Sequence, residues 1–278
     1  MIDHRWNTSH QPYSTAAWLD NHHAIKSRLR SELIAKLSIN SGDCVLDLGC
    51  GPGNWSILCA DRVGVRGRVT GVDADETVLD AARRRREGHC LAAVIDFAHA
   101  RLEDIELAVA SHDVVLLFNV LSYIREPQAL IAKAIATLRP GGRLFIKDTD
   151  LQSDFYWPVP FDVHSSIMRA IVSGTTDGLD GYNPFFARQV PGLLRRFPGL
   201  RVSTFSQSFS FFAPLAREER EYVRANAALV SELAVKAGAL EDVDAWYSLF
   251  DDGREGSILD GADFTYAMNE FVFQAVVT

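Results

Sequence analysis

A doubly wound α/β fold with a mostly parallel sheet is predicted by three features of the sequence. From residue 41 onward, short continuously apolar runs alternate with helix-length polar stretches, the pattern required of strands covered on both faces. The first of these runs enters a glycine-rich turn and then a helix, Val45 to Asn54. Close to the C-terminus, 201–212 and 264–277 alternate in β fashion, as a closing antiparallel pair would.

Residues 1–40 begin polar. Trp18, Leu19, Ile25, Leu29, Leu33, Ile34 and Leu37 then recur at helical spacing with Lys and Arg between them, which predicts an N-terminal helical cap made of one amphipathic helix or a broken pair. Strands are expected at 44–48, 68–72, 92–97, 114–118 and 143–147, with helices near 54–63, 76–87 and 127–138; such alternation implies right-handed crossovers. Leu138-Arg139-Pro140-Gly141-Gly142-Arg143 reads as a helix end and a glycine turn into the fifth strand. Beyond Asp148, an aromatic and turn-rich stretch from Phe155 to Phe161 precedes a helix at about 162–173 and a Gly/Asp/Thr loop at 174–183. Along 201–212, Phe205, Phe209 and Phe211 share one side and serines the other. Two helices, roughly 215–237 and 240–251, separate the two β runs. That excursion is too long for a hairpin loop and reads as a helical lid insertion or a contact with a second copy. The organisation expected is a cap at 1–40, a ligand-binding core at 41–148, and substrate-binding insertions, lid and closing strands at 149–278 of the same domain.

Composition narrows the function. The 278 residues allow one large domain or two small ones, and 47% hydrophobic with 23% charged residues are globular averages that exclude collagen-like, coiled-coil and largely disordered chains. A formal charge of −8 is a poor match to the basic face that nucleic acid requires, so no nucleic-acid partner is expected. The opening Met1-Ile2-Asp3-His4-Arg5-Trp6 has no apolar stretch behind a positive region, and the run Val114 to Leu121 is too short for a bilayer. A soluble cytoplasmic protein with no membrane partner follows. The four cysteines, Cys44, Cys50, Cys59 and Cys90, include no C-x-x-C pair and fall in segments that read as buried; reduced core thiols are therefore expected rather than disulfides or a metal site.

The glycine turn carries the strongest local signal. Glycines after a strand let a ligand approach the backbone and leave the next helix N-terminus facing it. A dinucleotide fingerprint would put its third glycine at position 54, where this chain has Asn54; its glycines sit at 49, 51 and 53. Asp47, two residues before the first glycine, would repel a phosphate and suits a cationic ligand. About twenty residues on, Asp73 ends the second strand, a spacing that suits a carboxylate accepting ribose hydroxyls.

Together with Ala100-Arg101-Leu102-Glu103-Asp104-Ile105, the run from Asp113 to Ile124, and the segment from Leu138 to Lys147, these motifs resemble, in order and spacing over roughly 41–148, the class I S-adenosylmethionine-dependent methyltransferases of the small-molecule type. The resemblance implies a Rossmann-like core and S-adenosylmethionine as cofactor, with S-adenosylhomocysteine as its product. It places the backbone of Gly49, Cys50 and Gly51 at the methionine part with Asp47 beneath it, Asp73 on the ribose, and Ala74 against the adenine. Where the family commonly offers an acid to the adenine amino group this chain has Arg101, so adenine recognition falls mainly to the backbone around Leu102. Asn119 would lie near the methyl group. Tyr13-Ser14-Thr15-Ala16-Ala17-Trp18 looks like the tyrosine-bearing segment that closes over the cofactor.

Methyl transfer is an in-line displacement whose leaving group the cofactor already carries, so alignment and exclusion of water are the protein's main tasks. An acceptor hydroxyl or acidic carbon also needs a base; His23, His22 and His164 are the candidates, in that order. Asp148 and Asp150, at the carboxyl end of the fifth strand, and Tyr156 and Trp157, in the aromatic stretch, are expected to contact the acceptor. The aromatic content of the flanking regions points to an apolar or aromatic, natural-product-like metabolite. The alternative is a methyltransferase-like protein that binds the cofactor but catalyses an isomerisation or cyclisation. Arg83-Arg84-Arg85-Arg86 reads as a solvated helix C-terminus. Whether the cap and the helical excursion act within one chain or form a homo-oligomer is left open.

Overall fold

The computed structural model describes residues 15–175, 181–238, 240–251 and 256–278. In chain order the elements are α1 (Ala16–Ile25), α2 (Ser27–Lys36), β1 (Cys44–Leu48), α3 (Asn54–Val63), β2 (Arg68–Asp73), α4 (Glu76–Glu87), β3 (Ile95–His99), β4 (His112–Phe118), α5 (Pro127–Ala136), β5 (Leu138–Thr149), β6 (Phe155–Trp157), α6 (Phe161–Thr175), α7 (Val190–Leu194), β7 (Leu200–Phe212), α8 (Arg217–Lys236), α9 (Leu240–Leu249) and β8 (Thr265–Val277). They divide into two compact units, one of residues 1–149, 185–207 and 270–278, the other of 150–184 and 208–269.

The first unit holds the parallel sheet. Its order is β3-β2-β1-β4-β5, followed by the second half of β8. Pairing is parallel from β3 to β5 and antiparallel between β5 and β8, where Arg143 faces Val276 and Thr149 faces Glu270. Along β7 and β8, Gly199 bonds Thr278 and Gln207 bonds Glu270, so these strands also run in opposite directions. Alternate residues serve the two faces. Leu46, Leu48, Val115, Leu117, Leu144 and Ile146 pack with α5, α7 and Phe186, while Val45, Val114, Leu116 and Phe145 pack with Leu33, Cys59, Ala60 and Leu79 from α2, α3 and α4. Val114 to Phe118 of β4 are therefore apolar without interruption, while β1 and β5 carry Asp47, Lys147 and Asp148 at their carboxyl ends.

Local chemistry sets the ends. Asp75 N-caps α4 by accepting from the Thr77 N–H at 2.8 Å, and Gly64 closes α3 at φ +64°. The cap is the broken pair: α1 stops and α2 starts at Lys26. The third strand begins later than expected, because the Ala92 N–H bonds the His89 carbonyl and the Val94 N–H bonds that of Leu91, holding 92–94 in a tight turn until pairing with β2 starts at Ile95. The fifth strand begins earlier, Leu138 already pairing with His112 across a register shift. Cys90 is exposed in a turn, not buried, and Cys44 is half-buried; the other two are core thiols.

The second unit is built on aromatics. β6 pairs with the first half of β8, Phe155 to Ala267 and Trp157 to Thr265, antiparallel. Against them pack α6, α8 and α9, and the core is a ring cluster in which Tyr156 meets Trp246, Phe250 and Tyr266 at centroid distances of 5.2, 5.5 and 4.9 Å. The Trp246 indole N–H donates to the Ala227 carbonyl, tying α9 to α8. Among the described residues no helix is long and apolar enough to cross a membrane.

Candidate active site

Strand order reverses between β1 and β4: β2 and β3 lie to one side, β5 to the other. Open α/β sheets bind ligands beyond the carboxyl ends of strands at such a point. Here those ends carry the glycine turn 49–53 and Asn119.

The two leading glycines do different work. Gly49 (φ +73°) packs against the sheet, since a Cβ there would stand 2.4 Å from Val120 Cγ2. Gly51 (φ +52°) is less crowded: among the described residues a Cβ there meets Leu19 Cδ1 at 3.5 Å, an ordinary contact. Gly49→Ala is expected to lower stability by about 1–3 kcal/mol through overpacking, beyond the left-handed strain that both positions share. Gly51→Ala loses the strain term alone; urea unfolding of the two variants measures the difference. Beneath the turn Asp47 is 1% exposed and accepts from Ser56 Oγ at 2.6 Å. Burial, opposed by that hydrogen bond, pushes its carboxyl up to about 6.

Asp73 belongs to the same construction. Its Oδ2 accepts from the Gly51 N–H at 2.8 Å and its Oδ1 from the Asp75 N–H at 3.0 Å, so the second strand's carboxylate locks the turn of the first. Burial raises its pKa from the usual carboxylate value. Each oxygen keeps a lone pair for a further donor, and an acceptor-only group at this strand end fits a vicinal diol. Ala74, half-buried beside it, is held through its carbonyl by His99 Nε2 at 3.0 Å. Arg101 turns to Asp104 at 3.4 Å, and the Leu102 side chain is buried in the sheet core. Lys133 Nζ bonds the Glu103 and Ile105 carbonyls and fixes this segment. The buried Glu103 Oε1 has no hydrogen-bond partner, an open acceptor two residues past Arg101. Diol acceptor, open turn and orphaned carboxylate oxygen together fit a nucleoside cofactor.

Asn119 occupies the left-handed region at φ +57°, where Asn is enriched over other non-glycine residues and where strain marks functional positions. Its N–H bonds the Lys147 carbonyl at 2.7 Å and its Oδ1 accepts from Lys147 Nζ at 2.8 Å.

The cap supplies what the sequence pattern hid. Lys26, Arg30, Lys147 and Glu270 are all buried. Glu270 Oε1 lies 3.2 Å from Lys26 Nζ, 3.5 Å from Lys147 Nζ and 3.9 Å from Arg30, and its Oε2 accepts from Gln207 at 2.9 Å. His22, one of the candidate bases, is buried inside this cluster, stacked on Trp18 at 4.7 Å. Its Nε2 is 3.1 Å from Lys26 Nζ and its Nδ1 3.2 Å from Arg30. Burial, then Lys26 and Arg30, push it well below the ordinary histidine value. His23 is half-buried, edge-on to Trp55 at 6.1 Å; burial, then Arg30 and Arg85, lower its pKa to about 4. Nor is the arginine run simply solvated. Arg85 bonds Asp20 at 2.8 Å and the Pro52 carbonyl, and Arg83 pairs with Glu76 and Asp80, so only part of the run serves the helix terminus. Tyr13 lies outside the described residues.

Of the expected acceptor contacts, Asp148 is 2% exposed on β5. Its Oδ1 accepts from Ser122 Oγ at 2.8 Å and its Oδ2 is unpartnered; burial, opposed by Ser122, raises it to about 6. Asp150, Tyr156, Trp157 and His164 belong to the second unit. There Asp150 caps a short turn through Gln152, and Tyr156 is a core ring rather than a surface one. Trp157 is 51% exposed. His164 is half-buried near Trp246, its pKa lowered by burial. Among the described residues no cluster of His, Cys, Asp or Glu could hold a metal.

Comparison with known proteins agrees with this geometry. Residues 45–142 match a family described as a methyltransferase domain. The chain is 32% identical over 124 residues to an uncharacterised 37.1 kDa protein of transposon TN4556 from Streptomyces fradiae, covering 45% of this chain and 35% of that one. It is 25% identical over 189 residues to the demethylmenaquinone methyltransferase of Listeria monocytogenes, covering 66% of this chain and 75% of that one. It thus spans about a third of the first relative's length and three quarters of the second's. In fold it is similar to phosphoethanolamine N-methyltransferase 2 of Haemonchus contortus, solved with S-adenosyl-L-methionine, at a TM-score of 0.57 and 16% identity over 99% of this chain and 60% of that one. The matched methyltransferase domain carries the glycine turn, Asp73 and Asn119, and the chain is similar to S-adenosylmethionine-dependent methyltransferases.

Proposed function

We propose that this chain transfers the methyl group of S-adenosylmethionine to a small, apolar or aromatic acceptor of natural-product type. The observation that carries the reading is the Asp73 carboxylate bonded at 2.8 Å to the Gly51 N–H, which makes ribose acceptor and glycine turn one rigid piece at the switch point. When bound, the cofactor supplies an electrophilic methyl on a sulfonium that leaves as a neutral thioether. Asp73 holds the ribose, Ala74 and the Leu102 backbone border the adenine, and Glu103 Oε1 accepts from its amino group in place of the Arg101 side chain. The backbone of Gly49, Cys50 and Gly51 meets the methionine part, with Asp47 below. Asn119 borders the methyl group. His23, neutral at pH 7 and half-buried, is available to take a proton from the acceptor; His22, wedged between two cations, orients the cap.

The acceptor class is read from the exposed rings. Most aromatics of the second unit are consumed by its own core, but Phe155, Trp157 and Phe161 stay 51%, 51% and 85% exposed and offer apolar faces. A relative named for demethylmenaquinone supports a small-molecule acceptor. Incubation with methyl-labelled S-adenosylmethionine and a panel of phenols, quinols and amines, read by product mass, tests the proposal. The expected product is one methyl group heavier, with one S-adenosylhomocysteine released. A product of unchanged mass with the cofactor intact would overturn methyl transfer in favour of isomerisation or cyclisation.

A further inference from the structure

The left-handed turn after β4 suits few side chains. At the φ of +57° found there, Gly, Asn and Asp are the residues that fit with least strain. Of these, Asp would pair best with the ammonium beside it, because Lys147 Nζ lies 2.8 Å from the side-chain oxygen at this position and Lys147 is 0% exposed. The chain has Asn119 instead. What an amide keeps and a carboxylate lacks is a pair of N–H donors.

Lys147 settles which way that amide faces. An ammonium has donors and no acceptor, so the atom it meets at 2.8 Å must be Asn119 Oδ1, and Nδ2 is turned away. The Asn119 N–H bonds the Lys147 carbonyl at 2.7 Å and fixes the backbone of the same residue. Lys147 is held in turn by Glu270 Oε1 at 3.5 Å, with the Phe118 ring centroid 5.8 Å away. Among the described residues Asn119 Nδ2 has no hydrogen-bond partner, although Asn119 is half-buried. It stands at the carboxyl end of β4 beside the switch point, where a ligand is the natural partner for an unused donor.

We propose that Lys147 is a positioning residue that turns the Asn119 amide so that its N–H donors, not its oxygen, face the methyl acceptor. The molecule selected is one with an oxygen lone pair beside its reacting atom, as a carbonyl, ether or hydroxyl provides. A group that can only donate, such as an ammonium, meets like donors there and is disfavoured. The place beside the reacting methyl rests on the methyl-transfer reading; the orientation of the amide does not.

The arrangement holds while Lys147 carries its proton. Burial, opposed by Glu270 and reinforced by Arg30, lowers it to about 8, and Asp148, next along β5, pulls the other way. Lys26 and His22 of the cap also interact with it. Above that value a neutral amine can accept as well as donate, and the amide is released to turn over.

The test uses nuclear magnetic resonance of the full chain, labelled with nitrogen-15 at asparagine and saturated with S-adenosylhomocysteine. The Asn119 side-chain signal is the one that Asn119→Asp or Asn119→Gly removes. In the wild type it is expected to shift with a midpoint near pH 8 and to exchange its N–H pair with water. No shift between pH 7 and 9 would remove Lys147 as the partner, and an N–H pair shielded from water would place the donors in a bond inside the protein; either result overturns the proposal. Acetophenone, whose carbonyl accepts a hydrogen bond, should move the signal on titration. Its counterpart α-methylstyrene, with a methylene in place of that oxygen, should leave it unmoved. Equal shifts with the two probes, or none with acetophenone, also overturn the proposal. In calorimetry Asn119→Asp should bind acetophenone about 10-fold more weakly than the wild type, as loss of one hydrogen bond implies; undiminished binding counts against the donor role. Failure of S-adenosylhomocysteine to bind the wild type would sink the methyl-transfer reading instead.

Discussion

Replacing Asp73 with Asn is expected to weaken S-adenosylhomocysteine binding by about 100-fold, which calorimetry will read directly. Hydrogen bonds to a charged group contribute roughly 1.5–3 kcal/mol each, and two ribose hydroxyls at the lower figure give about 3 kcal/mol, or two decades. The variant also loses part of the turn's anchor, because an amide can present only one oxygen where the carboxylate now accepts from both the Gly51 and Asp75 N–H groups. A neighbour separates these effects from plain helix damage. Asp75→Ala removes the cap on Thr77 and should cost about 1 kcal/mol of stability, yet leave the affinity within a few-fold. A loss of affinity shared equally by both variants would remove the ribose role of Asp73.

Glu270→Gln is expected to have the largest effect on stability. Removing one partner of a buried ion pair typically costs about 3–5 kcal/mol because the other charge is left uncompensated, and here three cations share the carboxylate. Its pH dependence is specific. Burial, opposed by Glu270, lowers Lys26 to about 7 and Lys147 to about 8 from an ordinary value of 10.5. Between those values and the ordinary one the unfolded chain binds more protons than the folded one, so stability rises with pH across that window. Glu270 acts at the other end: against the burial that raises it, Lys147, Lys26 and Arg30 hold it well below 4.5, so its contribution is present above that value and lost as pH falls through the folded value. Urea midpoints at pH 7 and 9 should therefore increase in the wild type and increase more steeply in Glu270→Gln. A variant as stable as the wild type at pH 7 would show that the cluster is not the keystone of the cap.

Much of the core was legible because periodicity and punctuation are local. The apolar run 44–48 and the helices 54–63 and 76–87 sit where glycines, an Asp cap and continuous hydrophobicity place them. The glycine turn and Asp73 were legible for the same reason, as their spacing is fixed by one strand, one helix and the next strand. What stayed hidden depends on distant partners. Lys26 and Glu270 are 244 positions apart in the chain, and a lysine or histidine between apolar residues on a helix reads as its wet face until the strand that covers it is known. Tyr156 reads as pocket lining by composition, yet its neighbours Trp246 and Tyr266 come from the far end of the chain. Glu103 reads in the sequence as one of several acids in its loop, and only its orphaned Oε1 distinguishes it.

The most direct measurement is titration of the purified chain with S-adenosylmethionine, S-adenosylhomocysteine and NAD. The glycine turn, the Asp47 charge beneath it and the Asp73 diol acceptor require that both sulfur nucleosides bind and that NAD does not. Binding of NAD alone, or of none of the three, would contradict that cofactor site.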